Sequence, residues 1–129
     1  MTDAILEHAN ITVSDIERTA TMLCAVFGWR VRWASEPGAA LDGGTSWHVG
    51  GDHSYIALYS RGGRTGGVDT YTTIGGMNHL GVVVSDLDAT EEKVKALGLE
   101  THSHADYEPG RRFYFNDHDG IEYEVVAYP

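Results

Sequence analysis

The sequence predicts an α+β fold made of two similar modules, each running strand, helix, strand, strand, strand. Three observations carry this. One pattern occurs twice, as His8-Ala-Asn-Ile-Thr-Val-Ser-Asp and as His79-Leu-Gly-Val-Val-Val-Ser-Asp, and the offset of 71 residues (79 minus 8) holds without a gap through Thr19 and Thr90. A helix-start signal follows the strand in both copies. Each helix then gives way to short strand-like runs separated by turns. Self-similarity near half the chain length points to duplicated units, and the 129 residues amount to one domain's worth of chain.

The elements follow in order. Glu7 to Val13 alternates, with His8, Asn10 and Thr12 on one face and Ala9, Ile11 and Val13 on the other, which is a half-buried strand. Ser14 and Glu17 fit a capping box, with the serine as cap. Ile16, Ala20, Leu23 and Phe27 give the helix one apolar face, and Gly28 stops it. Strands are expected at Trp29 to Ala34, Ser46 to Val49 and Tyr55 to Tyr59, with turns at Gly43-Gly44 and Gly50-Gly51. In the second copy Leu80, Val82 and Val84 form the apolar strand face, opposite His79. Ser85 and Asp86 begin a helix lined by Leu87, Val94 and Leu97, and Gly98 ends it. Strands follow at Leu99 to Ser103, Arg112 to Phe115 and Glu122 to Tyr128, with a turn at Asp117 to Gly120. The organisation is therefore a first module over about 5–60, a Gly-rich linker over 61–76 and a second module over 77–129. Such a hinge would let the halves exchange between two copies in a swapped dimer.

Composition narrows the partners. The chain holds 19 acids against 9 bases, net −10, and its second half carries most of the excess. No basic stripe appears, so nucleic acid is excluded as the expected partner. No apolar run spans a bilayer, and no secretory signal opens the chain, so a cytoplasmic protein is expected. Cys24 is the single cysteine, expected as a buried small residue.

The matching histidines, the Val-Ser-Asp that follows each strand, Phe27-Gly28, and the run Phe113-Tyr-Phe-Asn-Asp117-His-Asp-Gly120-Ile-Glu-Tyr-Glu124 carry a resemblance. From Leu6 to Tyr128 the chain resembles the vicinal oxygen chelate superfamily, the glyoxalase, bleomycin-resistance and extradiol-dioxygenase proteins. That resemblance implies two βαβββ modules forming a concave mixed sheet around a cavity, in a protein that forms homodimers. It also implies a metal ligand at Glu124, beside His8 and His79.

The residues support the same trio. Glu124 lies between Tyr123 and Val125 in an otherwise apolar strand, where a carboxylate is costly to bury unless it is paired or metal-bound. A lone strand histidine is more often a surface residue than a ligand; the repetition of His8 by His79 favours a shared role. Two imidazoles and one carboxylate leave positions open on a divalent ion such as Mn, Fe, Ni or Zn. Glu122 is read as a solvated edge residue.

Glyoxalase-type members take a fourth ligand from the last strand of the first module. Aligning Tyr55-Ile56 with Tyr123-Glu124 puts Ile56 there, and no Asp, Glu or Gln lies between Tyr55 and Ser60. The resemblance therefore favours three-ligand members. Candidates to contact a small substrate are Tyr55, Tyr59, His48, Arg112 and Tyr114. Arg111 and Arg112 could form a fork for an anion. His102 and His104, two apart, would share a strand face. Trp29, Trp33 and Trp47 are expected in the core or in cavity walls.

The leading expectation is a metal-dependent enzyme, a lyase or isomerase, with Glu124 catalytic and a substrate that chelates the ion through neighbouring oxygens. The alternatives are a ligand-sequestering protein of the bleomycin-resistance type and an Fe(II) extradiol-type dioxygenase.

Overall fold

In a computed structural model that describes residues 2–64, 66–108 and 110–129, the chain divides into two compact units, Met1–Arg64 and Thr65–Pro129. Each runs strand, helix, strand, strand, strand, as the repeat predicts.

In the first unit β1 (His8–Thr12), α1 (Ile16–Phe27), β2 (Arg30–Ala34), β3 (Thr45–Gly50) and β4 (Tyr55–Ser60) make a four-stranded sheet of order β1-β4-β3-β2. β1 pairs parallel with β4, and the other pairs are antiparallel, so the sheet is mixed. The helix is capped one residue later than expected. Asp15, not Ser14, accepts from the Arg18 amide through its side chain (3.1 Å), and its extended backbone turns the chain into the first helical residue. Gly28 ends the helix at φ 70°, a conformation that a side chain disfavours. Ile16, Ala20 and Leu23 are buried as expected, joined by Thr19, Met22 and Val26; Phe27 is only partly covered. They pack on the sheet face that carries Val49, Ile56 and Leu58. Each fully buried aliphatic side chain is worth about 1.5–3 kcal/mol relative to exposure.

The second unit repeats this with β5 (Leu80–Val83), α2 (Leu87–Ala96), β6 (Thr101–Tyr107), β7 (Gly110–Asn116) and β8 (Glu122–Ala127), in the order β5-β8-β7-β6. Asp86 caps α2 by accepting from the Ala89 amide (3.0 Å). Leu87, Thr90 and Val94 are buried against Phe113, Phe115, Tyr123 and Val125. Leu97, expected on that face, is 45% exposed, because the helix has already ended at Ala96.

Both units bulge in the strand after the helix. In β2 the register shifts between Val31 and Trp33, and in β6 between His102 and Ala105. Ser103 there takes φ 56°. An extra residue breaks the two-residue alternation, so side chains after it change face. His102 and His104 consequently do not share a face. His102 lies beside Tyr114 and bonds Asn116 Oδ1 (2.7 Å), while His104 turns to Glu91 of α2 (2.6 Å).

The segment expected as a linker holds local structure. The Thr72 and Thr73 amides donate to the Asp69 carbonyl, and the Tyr71 amide donates to Asp69 Oδ1 (3.0 Å). Gly76 closes this turn, where a Cβ would sit 2.4 Å from the Thr70 carbonyl oxygen. No helix among the described residues is long and apolar enough to cross a membrane.

Candidate functional site

Each sheet buries one face under its helix and leaves the other polar, and the sequence candidates gather on the polar faces.

In the first unit the register places His8 beside Tyr55 and Ala57 beside His48. The His8 and Tyr55 rings stack at 4.8 Å, Tyr55 stacks on His48 at 4.4 Å, and Trp33 meets His48 at 4.8 Å. Trp33 is 51% exposed, so it belongs to this surface and not to the core; the β2 bulge puts it there. The Arg32 guanidinium lies 4.7 Å over the Tyr55 ring. Glu7 Oε1 accepts from both His8 Nδ1 (2.9 Å) and the Tyr55 hydroxyl (3.2 Å). These bonds, His8 first, hold the Glu7 carboxyl below its ordinary range. A carboxylate only accepts, so the hydrogen of this contact sits on His8 Nδ1, and Nε2 points away from Glu7. Burial, followed by the neighbouring His8 and Arg32 charges, lowers the His48 pKa and favours its neutral ring. Tyr59, two residues beyond Ala57, spends its hydroxyl on the Leu41 carbonyl (2.6 Å), anchoring the loop before β3.

In the second unit His79 Nε2 lies 3.2 Å from Glu124 Oε1. Arg112 Nη1 donates to Glu124 Oε2 (2.8 Å), and its Nη2 donates to the Gly110 carbonyl (3.3 Å). Burial opposes the Arg112 charge, but the Glu124 contact outweighs it and raises the pKa. Burial and then a hydrogen bond to Glu124 raise the Tyr114 hydroxyl, whose ring meets His79 edge-on at 5.4 Å. Arg111 does not join Arg112 in a fork. Adjacent strand residues face opposite ways, and Arg111 reaches Asp88 of α2 (3.0 Å).

Glu122 corrects a second expectation. β8 lies inside the sheet, between β5 and β7, so Glu122 is not an edge residue; its side chain is 18% exposed. It accepts from the Tyr71 hydroxyl and lies 3.6 Å from His79 Nδ1, while the Tyr71 oxygen is 3.3 Å from the same nitrogen. The Glu122 bond, with burial, pushes the Tyr71 hydroxyl up to about 12. Tyr71 escapes a sequence reading because glycines surround it and mark a linker.

The registers also fix which residue matches Glu124 in the first unit. Gly81 pairs with Glu124, and its repeat equivalent Asn10 pairs with Ala57. The equivalent is therefore Ala57, one residue beyond Ile56, which faces the helix side and is 5% exposed. Neither side chain can bind a metal.

Among the described residues of each unit, no three His, Cys, Asp or Glu side chains gather as a metal-holding set. His79 and Glu124 supply two donors within the second unit, and the third expected donor, His8, belongs to the first. An open cleft of about 450 Å³ is lined by Tyr107, Gly110, Arg111 and Tyr128 of the second unit. Cys24 is half-buried, and burial raises its thiol pKa.

Solved structures share this fold over nearly the full chain. A glyoxylase/bleomycin resistance protein/dioxygenase domain from Frankia sp. EAN1pec is 20% identical, with 100% of each chain covered and a TM-score of 0.80. The fosfomycin resistance protein FosX from Mesorhizobium loti is 25% identical, covering 97% of this chain and 92% of its own, at 0.73. FosX from Listeria monocytogenes, complexed with Mn(II) and sulfate, is 22% identical, covering 99% and 95%, at 0.75. No curated protein matches the chain. Residues 5–125 match the family model of the Glyoxalase/Bleomycin resistance protein/Dioxygenase superfamily. With the two βαβββ units and their mixed sheets, that match across nearly the whole length establishes that the chain belongs to this superfamily.

Proposed function

We propose that the protein is a metal-dependent enzyme of the superfamily, acting on a small substrate that chelates a divalent ion through neighbouring oxygens. His8, His79 and Glu124 are the proposed ligands. The observation that carries the reading is the paired orientation of the histidines. In each unit Nδ1 is engaged by a carboxylate or hydroxyl oxygen, which leaves Nε2 as the donor, and His79 Nε2 stands 3.2 Å from Glu124 Oε1. His8 is supplied by the first unit of the same chain or of a second copy, which keeps open the homodimer and swapped-dimer arrangements.

A bound ion would stabilise negative charge developing on a substrate oxygen. The chain's own residues do the rest. Arg112 holds one oxygen of Glu124 and keeps the other turned toward His79, so Glu124 is the proposed catalytic carboxylate. Tyr114 stands beside it, its hydroxyl hydrogen directed to Glu124 and its oxygen able to accept from substrate. In the first unit, the stacked row of His8, Tyr55 and His48 offers ring edges and Arg32 a positive charge for a substrate carrying an anionic group. The Mn(II) in Listeria FosX makes Mn(II) the first ion to test.

The test is metal content after purification without chelator, then titration with Mn(II), Fe(II), Ni(II) and Zn(II). Stoichiometric binding is expected, and it is expected to be lost in His8→Ala, His79→Ala and Glu124→Ala. A folded protein that takes up none of these ions would overturn the enzyme reading and favour ligand sequestration. Fe(II)-specific uptake with oxygen consumption on catechols would replace lyase or isomerase chemistry by that of a dioxygenase.

A further inference from the structure

We infer that Ser103, His102 and Asn116 form a second reactive group, in which Ser103 is a nucleophile that takes the acyl group of a small activated ester, His102 is its base and Asn116 positions that base. The group shares no residue with the proposed metal ligands and stands or falls without them.

Adjacent strand residues ordinarily face opposite ways, so His102 and Ser103 would not meet in a regular β6. The bulge between His102 and Ala105 changes this. It brings the Ser103 hydroxyl to 2.9 Å from His102 Nδ1, while His104 turns away to Glu91. Ser103 holds φ 56° there, a left-handed conformation that glycine adopts at least cost. On its other side the His102 ring meets Asn116, whose Oδ1 lies 2.7 Å from Nε2. The Asn116 amide has a fixed sense, because its Nδ2 donates to the Gly120 carbonyl (3.4 Å) and its oxygen would be repelled there. An amide oxygen only accepts, so Nε2 carries the hydrogen. The neutral ring then has its lone pair at Nδ1, and the Ser103 hydroxyl donates to it. A nucleophile bonded to a base that a third group orients is the arrangement that activates a hydroxyl.

The chemistry balances without oxidation or reduction. Ser103 Oγ bonds to the ester carbonyl carbon, and its hydrogen passes to His102 Nδ1. The ester C–O bond breaks, and the departing oxygen takes that hydrogen and leaves as an alcohol. Water then attacks the acyl-serine, again through Nδ1, to release the carboxylic acid and restore Ser103. The group is exposed, so the fitting donor is a small ester whose leaving group departs readily.

The test uses p-nitrophenyl acetate with the full chain in chelator, so that no metal contributes. Nitrophenolate release gives the rate, and peptide mass spectrometry of quenched samples locates the acetyl group. Acetyl-Ser103 is expected in wild type. His102→Gln should slow its formation by about 100-fold or more. Asn116→Ala should also slow it, and Asn116→Asp, which keeps an acceptor oxygen, should restore it. Ser103→Gly, suited to the left-handed backbone, should melt close to wild type and lose the reaction. Folded wild type acetylated only at lysines or the amino terminus would overturn the inference. So would a Ser103→Gly rate equal to wild type, or a His102→Gln variant that acetylates Ser103 as fast.

Discussion

Replacing Asp117 by alanine is expected to cost about 3 kcal/mol of stability and to loosen the strand that carries Glu124. Asp117 is 6% exposed and ends the β7–β8 hairpin. Its Oδ1 accepts from the Asp119 amide (2.9 Å) and the Ile121 amide (3.0 Å), and its Oδ2 accepts from the Tyr123 hydroxyl (3.2 Å). Hydrogen bonds to a charged group contribute roughly 1.5–3 kcal/mol each, and stripping a buried group of its partner costs about 1–3 kcal/mol. The two amides sit in a turn that water can reach, so most of their loss is recovered. Tyr123 is fully buried, so water cannot take the place of Asp117 at its hydroxyl. Burial of the carboxylate works the other way: it raises the Asp117 pKa despite the three bonds. The net expectation of about 3 kcal/mol corresponds to a melting temperature lower by roughly 10–15 °C for a chain of this size. The Asp117→Asn variant, which keeps the acceptor oxygen and removes the charge, is expected within about 1 kcal/mol of wild type at neutral pH. The pH dependence has a definite sign. A raised folded pKa means that the folded chain holds the proton more tightly than the unfolded chain. Wild-type stability relative to Asp117→Asn is therefore greatest below the ordinary aspartate range and falls as pH rises through the raised value. Urea melts of the three proteins from acid to neutral pH make the comparison. An alanine variant within about 1 kcal/mol of wild type, or a wild-type advantage that grows with pH, would refute the reasoning.

Three further outcomes follow. Thr101 Oγ1 and His104 Nε2 both contact Glu91 Oε2, and although burial opposes them they pull the Glu91 pKa down. Glu91→Gln should therefore lose roughly 1 kcal/mol at neutral pH, with the deficit vanishing as pH falls through the lowered value, as read by urea midpoints. Gly50→Ala should destabilise by about 1–3 kcal/mol, because its Cβ would meet backbone, the Ser54 oxygen at 2.2 Å and Tyr55 Cα at 2.5 Å. Gly51→Ala, with open space at its Cβ, should melt like wild type.

Much of the fold was legible because the repeat marked it twice. The strand alternation, the polar helix starts and the glycines after each helix are local signals, and they agreed with one another, although the serine expected to cap the first helix gave way to Asp15. Local alternation failed at the bulges. Nothing in Arg30–Ala34 or Thr101–Tyr107 announces an extra residue, yet the bulge decides that Trp33 joins His48 and that His104 leaves His102 for Glu91. The one-residue error at Ile56 has a related cause. β2 ends at Ala34 and β3 begins at Thr45, whereas β6 ends at Tyr107 and β7 begins at Gly110, so the histidine offset no longer applies beyond these loops, and the match of Tyr55 to Tyr123 used in its place falls one residue short. Backbone pairing, which needs both strands at once, restores the register at Ala57.

The site shows why function was harder to read than fold. Composition reports what a segment lacks, and around Tyr71 the many glycines suggested only a connector. What gives Tyr71 its place is a turn closed by Asp69 and packed so tightly at Gly76 that no side chain fits, neither of which has a sequence period. Glu122 was misjudged for the opposite reason: it has a clear period, but a period gives a face and not a position across the sheet. An outward-facing glutamate on an edge strand meets water, whereas the same glutamate on an inner strand meets whatever its neighbours present, here a tyrosine and a histidine. Strand order is set by connections between distant residues. The groups that surround His79 are therefore the ones a linear reading reaches last, while the histidine itself repeats in the sequence and Glu124 stands out from an apolar strand.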